Sequence, residues 1–220
     1  MMRPSVGCGK TVLFANVVEH LRKESTTAPI LSAYFYCLYR KGAQHELASI
    51  LRTFIAQICP SSAVPTSLKD LYEFHSRKFP PGVASDSELK STLLSMISDP
   101  QPFFKHDYEE GPHIFLLIDA LDELPLGSHR DEIIGFLAEL AALHLPRVHL
   151  LATSRDESDI QIGLGSWSGL SVAKERVIED IKLYVTRVIR EDKGLSRIAQ
   201  KQPAIEERLL LALAEDGNGM

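Results

Sequence analysis

Helical and strand-like segments alternate along this chain, and no other property of the sequence narrows its fold as far. Leu47, Ile50, Leu51, Phe54, Ile55 and Ile58 form the cleanest amphipathic stripe, closed by Cys59-Pro60, whereas Ile114–Ile118 is a short, unbroken apolar run. Alternation of this kind predicts an α/β protein with a mostly parallel sheet between helices. Around these two markers the chain fills in consistently. Leu13, Val17 and Leu21, with Val18 beside them, predict a helix over Lys10–Glu24, and the aromatic run 29–39 predicts a buried strand. A helical signal at 68–79 ends at Pro80-Pro81-Gly82. Ser85 with Glu88 then forms a capping box for a helix carrying Leu89, Leu93 and Ile97. A polar loop over 99–112 precedes the apolar run. Ser128 and Asp131 open a helix with Ile133, Leu137 and Leu140 inward, Val148–Ala152 is a second short strand, and Leu170–Val172 a candidate third. Ile178, Ile181, Val185 and Val188 mark a further helix, and 203–215 a last one.

Composition removes several classes. With 45% hydrophobic and 24% charged residues in 220, the chain is neither disordered nor fibrous. Its net charge of −5, with no block of like charges, argues against nucleic acid as a partner. Three cysteines, Cys8, Cys37 and Cys59, are too few and too unevenly spaced for a disulfide framework or a zinc site, which points to a cytoplasmic setting. The apolar stretches carry acids and fall short of a membrane span, so no membrane partner is expected.

Gly7-Cys8-Gly9-Lys10-Thr11 stands at the head of the first predicted helix. Glycines allow main-chain N–H groups to turn onto phosphate oxygens, and the helix N-terminus adds partial positive charge. Lys10 would supply a point charge to the outer phosphates, the Thr11 hydroxyl a ligand to magnesium, and Val12 follows on the helix. Pro4 occupies the position of the first glycine of the full G-x-x-x-x-G-K-[ST] pattern. Cys8 is a small loop residue, since no partner thiol accompanies it.

The second element is His113–Asp119, an apolar strand that stops on an acid. Such a run delivers a carboxylate to the C-terminal edge of the sheet, where α/β proteins bind ligands. Asp119 is the candidate magnesium ligand, and Asp122 and Glu123 are candidates to orient or activate an attacking water. Arg155, at the end of the next strand, offers a planar fork to an anion, with a surface ion pair to Asp156 or Glu157 as the competing reading. The aromatics Tyr34, Phe35, Tyr36 and Tyr39 are strand packing rather than a base-stacking platform.

Asp119-Ala120-Leu121-Asp122-Glu123 resembles the D-[GAS]-hydrophobic-D-E form of the Walker B element of NACHT-domain NTPases. VGCGKTVLFANVVEHL, AYFYC, FLLIDALDEL and LLATSRDESDI likewise resemble the NACHT modules of fungal NOD-like receptors, which are often joined to ankyrin repeats. The resemblance implies a P-loop NTPase of AAA+/STAND type, a three-layer α-β-α sandwich, with residues 1–175 as nucleotide-binding core and 176–220 leading into a following helical domain. It implies ATP with Mg²⁺ and slow hydrolysis, although the residues themselves leave ATP and GTP open. Asp122 and Glu123 take the catalytic positions, Gly7 to Val12 with Arg155 the nucleotide positions, and Thr11 with Asp119 the metal positions. Self-association, or association with related NACHT proteins, is the implied partnership.

Only Met1, Met2 and Arg3 precede Pro4, too few for the strand that leads into a P-loop. The sequence therefore predicts a module lacking its first strand and truncated at both ends. Competing with the reading that the resemblance implies, an ATP-dependent signalling switch, is an inert fragment that acts only by association. A small P-loop kinase ranks last, because no lid arginine cluster is evident.

Overall fold

The computed structural model describes residues 9–26, 28–37, 47–59, 64–78, 80, 82–98, 111–170, 174–201, 204 and 208. The chain divides into two units, Thr11–Ser166 and, apart from it, the residues up to Lys10 together with those from Trp167 onward.

The first helix, α1, spans Lys10–Glu24, the range predicted. Its inward face is set one residue over from the sequence stripe: Phe14, Val18 and Leu21 are buried, Val17 is half-buried and Leu13 is exposed. Phe14 displaces Leu13 because its ring reaches Tyr36 edge-on, with centroids 5.2 Å apart. Strand β1 is Ile30–Tyr36, followed by α2 (Leu47–Ile58), α3 (Thr66–Ser76) and α4 (Asp86–Ser98). All six apolar residues of the α2 stripe are buried, at roughly 1.5–3 kcal/mol for each large side chain, so this helix anchors one whole layer. The Ser85–Glu88 capping box forms as read: Ser85 N–H and hydroxyl donate to Glu88 Oε2 at 2.8 and 2.7 Å.

Strand β2 runs His113–Asp119, α5 Ser128–Ala142, β3 Val148–Ala152 and α6 Ser158–Gly163. The sheet is parallel in the order β1-β2-β3, which bears out the α/β class. Register pairs Ile30 with His113, Tyr34 with Leu117 and Tyr36 with Asp119. One face of the sheet, with Ile30, Tyr34, Tyr36, Phe115 and Leu117, packs under α1. Residues of the opposite parity, Ala33, Ile114, Leu116 and Ile118, are buried beneath the layer that α2 forms with α4 and α5. The outer edge of β1 is closed by a side chain: Gln57 Oε1 accepts from Tyr34 N–H (2.8 Å) while Gln57 Nε2 donates to Tyr34 carbonyl (3.1 Å). Gln57 thus occupies the hydrogen-bonding groups a further strand would use.

In the second unit, α7 spans Lys174–Glu191 and α8 Lys193–Lys201. Asp192 separates them by capping α8, its Oδ1 accepting from Gly194 and Leu195 N–H, both at 2.8 Å. Val185 is buried, and Ile189 rather than Val188 accompanies it. Of the candidate strand at 170–172 only Leu170 is described, outside any strand and 90% exposed, and 171 and 172 lie outside the described residues. Most of the helix expected over 203–215, the loop 99–110, Tyr39, Gly7, Cys8 and any strand ahead of them lie outside the described residues.

Candidate functional site

The site is built at the C-terminal edge of the sheet. β2 ends on Asp119, which is 2% exposed because β1 and β3 flank it and Cys37 N–H donates to its carbonyl at 3.0 Å. Its carboxylate is aimed from the next strand. Thr153 donates its hydroxyl to Asp119 Oδ1 at 2.5 Å, and the Thr153 hydroxyl oxygen in turn accepts from Ala120 N–H at 2.9 Å. Oδ2 has no hydrogen-bonding partner among the described residues.

The chain then turns sharply. Ala120 adopts φ 59°, ψ 52°, in the left-handed region, and Leu121–Glu123 form one turn of 3₁₀ helix. Leu121, fully buried, pins this turn, and its N–H donates to the Thr153 carbonyl at 2.9 Å. Asp122 meets Arg155: Oδ1 accepts from the main-chain N–H at 2.9 Å, and Oδ2 lies 3.1 Å from Nε. The competing reading of Arg155, a surface pair with Asp156 or Glu157, is not found among the described residues: Asp156 accepts from Gln161 and Glu157 is engaged by Arg130. Arg130, in the first turn of α5 and 2% exposed, donates to Glu157 Oε2 at 2.5 Å, places Nε 3.0 Å from Asp159 Oδ2, and reaches the Leu124 carbonyl at 3.5 Å.

The carboxylates set the local potential. Burial, and then Asp119, Glu123 and Asp122 in that order, push the Cys37 thiol up to about 12, so Cys37 stays a protonated, unreactive thiol. Burial foremost, with Asp119 and Tyr34 adding, also raises the Tyr36 hydroxyl. An edge this negative fits a cation. Among the described residues no three His, Cys, Asp or Glu side chains gather into a metal cage. Magnesium carried with nucleotide phosphates requires only one or two protein oxygens, which the Asp119 carboxylate is able to supply.

At the head of α1, Gly9 has φ +79°, a conformation that a side chain disfavours, while Thr11 and Val12 are exposed and Lys10 is half-buried. The Phe14–Tyr36 contact sets the first turn of α1 over the end of β1, whose Tyr36 is the register partner of Asp119. The start of the helix and the acid-tipped strand therefore share one end of the sheet. Sequence reasoning singled out Asp119, Asp122, Glu123 and Arg155, which the structure brings together, but missed Thr153, Arg130, Glu157 and Asp159. A signal for Arg130 was available, since it is in phase with Ile133, Ile134 and Leu137 on the buried stripe of α5.

A parallel sheet flanked by helices, with an acid at the tip of its central strand, defines an α/β module of the parallel-sheet class. The family model described as Nephrocystin 3, N-terminal, matches residues 2–155, and the chain belongs to that family. No curated protein matches the chain. Among solved structures it is similar to the Aeropyrum pernix ORC1 protein in complex with DNA, with 14% identity and a TM-score of 0.39 over 75% of this chain and 35% of that one. The chain thus spans about a third of that protein's length. DNA is that protein's partner in its structure, and the expectation that excludes nucleic acid as a partner of this chain is withdrawn. That expectation rested on a net charge of −5, which averages the whole surface and does not fix the sign of any one face. No helix among the described residues is long and apolar enough to cross a membrane.

Proposed function

We propose that this chain is the nucleotide-binding module of a NACHT-type signalling protein of the NOD-like receptor class, binding ATP with Mg²⁺ and hydrolysing it slowly. Gly7 to Val12 hold the phosphates, with Lys10 as the charge on the outer ones. Thr11 and Asp119 hold magnesium, Glu123 orients the attacking water, and Arg155 contacts the terminal phosphate. Magnesium, when bound, neutralises charge on the phosphate oxygens. Residues 1–175 form the core, 176–220 lead into a helical continuation, and the setting is cytoplasmic.

The observation that carries this reading is the Phe14–Tyr36 contact together with the Tyr36–Asp119 register. A phosphate-binding helix start and a metal-binding acid are of use to one ligand only when they stand at the same end of a sheet. Membership of the nephrocystin 3 N-terminal family and the Asp119–Glu123 sequence support the same class. Phosphate release from Mg-ATP is the test. Glu123→Gln should slow turnover by about 100-fold, the lower range for a general base, while ATP affinity changes by less than about threefold. Equal loss of turnover and affinity would count against the role given to Glu123.

A further inference from the structure

Beyond β3, residues 153–157 belong to no helix or strand, and the run turns where Glu157 N–H donates to the Arg155 carbonyl at 3.0 Å. Three of its side chains, at alternate positions, meet the segment that runs from the end of β2 into α5. Thr153 bonds Asp119, Arg155 pairs with Asp122, and Glu157 pairs with the buried Arg130. The intervening residues have local partners instead: Ser154 donates its hydroxyl to the Arg155 carbonyl at 2.7 Å, and Asp156 accepts from Gln161. The two loops at this edge are therefore joined by three polar rungs, with Arg155 on the middle one.

That middle rung bears on the role of Asp122. Both of its oxygens are engaged by one arginine, through the main-chain N–H and through Nε, and its side chain is only 7% exposed. The Arg155 side chain is 41% exposed, and neither Nη has a hydrogen-bonding partner among the described residues. A guanidinium held at Nε keeps its terminal edge for a second anion. On the reading that this edge takes a nucleoside triphosphate, we propose that Asp122 is a positioning residue. It fixes Arg155 so that the Nη edge meets the terminal phosphate, and Arg130, through Glu157, fixes the far end of the same run. Water orientation then falls to Glu123 alone, and Asp122 acts through Arg155.

The test measures affinity for ATP and for ADP, each with Mg²⁺, on the full chain and on Asp122→Asn, Arg155→Gln, Asp122→Glu and Glu123→Gln. Asp122→Asn and Arg155→Gln should each lower the ATP-to-ADP affinity ratio by about tenfold, the loss of one charge-assisted hydrogen bond, with ADP affinity held within about twofold. Asp122→Glu, which keeps the charge, should recover part of the ratio, and Glu123→Gln should keep all of it while losing turnover. An Asp122→Asn protein with the wild-type ratio and no turnover would make Asp122 a water-orienting acid and overturn the proposal. A wild type that binds ATP and ADP alike would overturn it as well. If Asp122→Asn does not fold, Arg155→Gln decides, and an unchanged ratio in it is fatal. Wild-type protein that binds neither nucleotide would instead refute the reading of the edge as a nucleotide site, and the proposal with it.

Discussion

Ala120 shows how one residue's backbone decides which side chain a position accepts. In the left-handed region a β-carbon crowds the following carbonyl, at about 1–2 kcal/mol, and a β-branched residue fares worse still. A small residue after Asp119 is thus a requirement of the turn that carries Asp122 and Glu123 around to the β3 loop. Glu88 shows the electrostatic counterpart away from the site. Hydrogen bonds from the Ser85 N–H and hydroxyl, with His75 adding to them, hold its carboxyl down at about 2 against an ordinary 4.5. The folded value lies below the unfolded one, so the cap stabilises fully above the ordinary carboxylate range and its contribution is lost as pH falls from about 4.5 toward 2. Urea midpoints of wild type and Glu88→Ala should differ at pH 7 and converge as pH approaches that lower value. A gap that stays constant with pH would contradict this account of the cap.

Elements with a full apolar stripe were legible from sequence, and those held by polar contacts were not. The stripe of α2 has no alternative phase, and the helices α4 and α5 have caps or acids at their starts. In α1 two adjacent stripes compete, and only Phe14 meeting Tyr36 in the fold chooses between them. The six-residue α6 and the 3₁₀ turn carry too few residues for periodicity to register. Arg130 was missed for a different reason: an arginine in a helix ordinarily faces water, and what makes this one a core residue is a pair of acids, Glu157 and Asp159, far along the chain. That arginine ties α5 to the β3 loop and to α6. Replacing one partner of a buried ion pair costs roughly 3–5 kcal/mol, and because Glu157 and Asp159 are each about one-third exposed, Arg130→Met should sit near or below the lower end. Urea unfolding measures this, and a loss below about 0.5 kcal/mol would show that the latch adds little to folding.

At the scale of the whole molecule, the alternation of elements and the acid-tipped strand were sufficient to define a parallel α/β sheet, whereas net charge does not describe any one face. Potential is a property of faces: three carboxylates crowd the end of one sheet in a chain whose average charge is modest. The central claim is that this end of the sheet, with the head of α1 above it, binds a nucleoside triphosphate through Lys10. Calorimetric titration of Mg-ATP into wild-type and Lys10→Ala protein tests it most directly. Saturable binding by the wild type, lost by about 100-fold or more in the variant while both unfold at the same temperature, is the predicted result; that loss corresponds to about 2.7 kcal/mol of charge-assisted contact. Equal affinity in the two proteins, or none in the wild type, would contradict it.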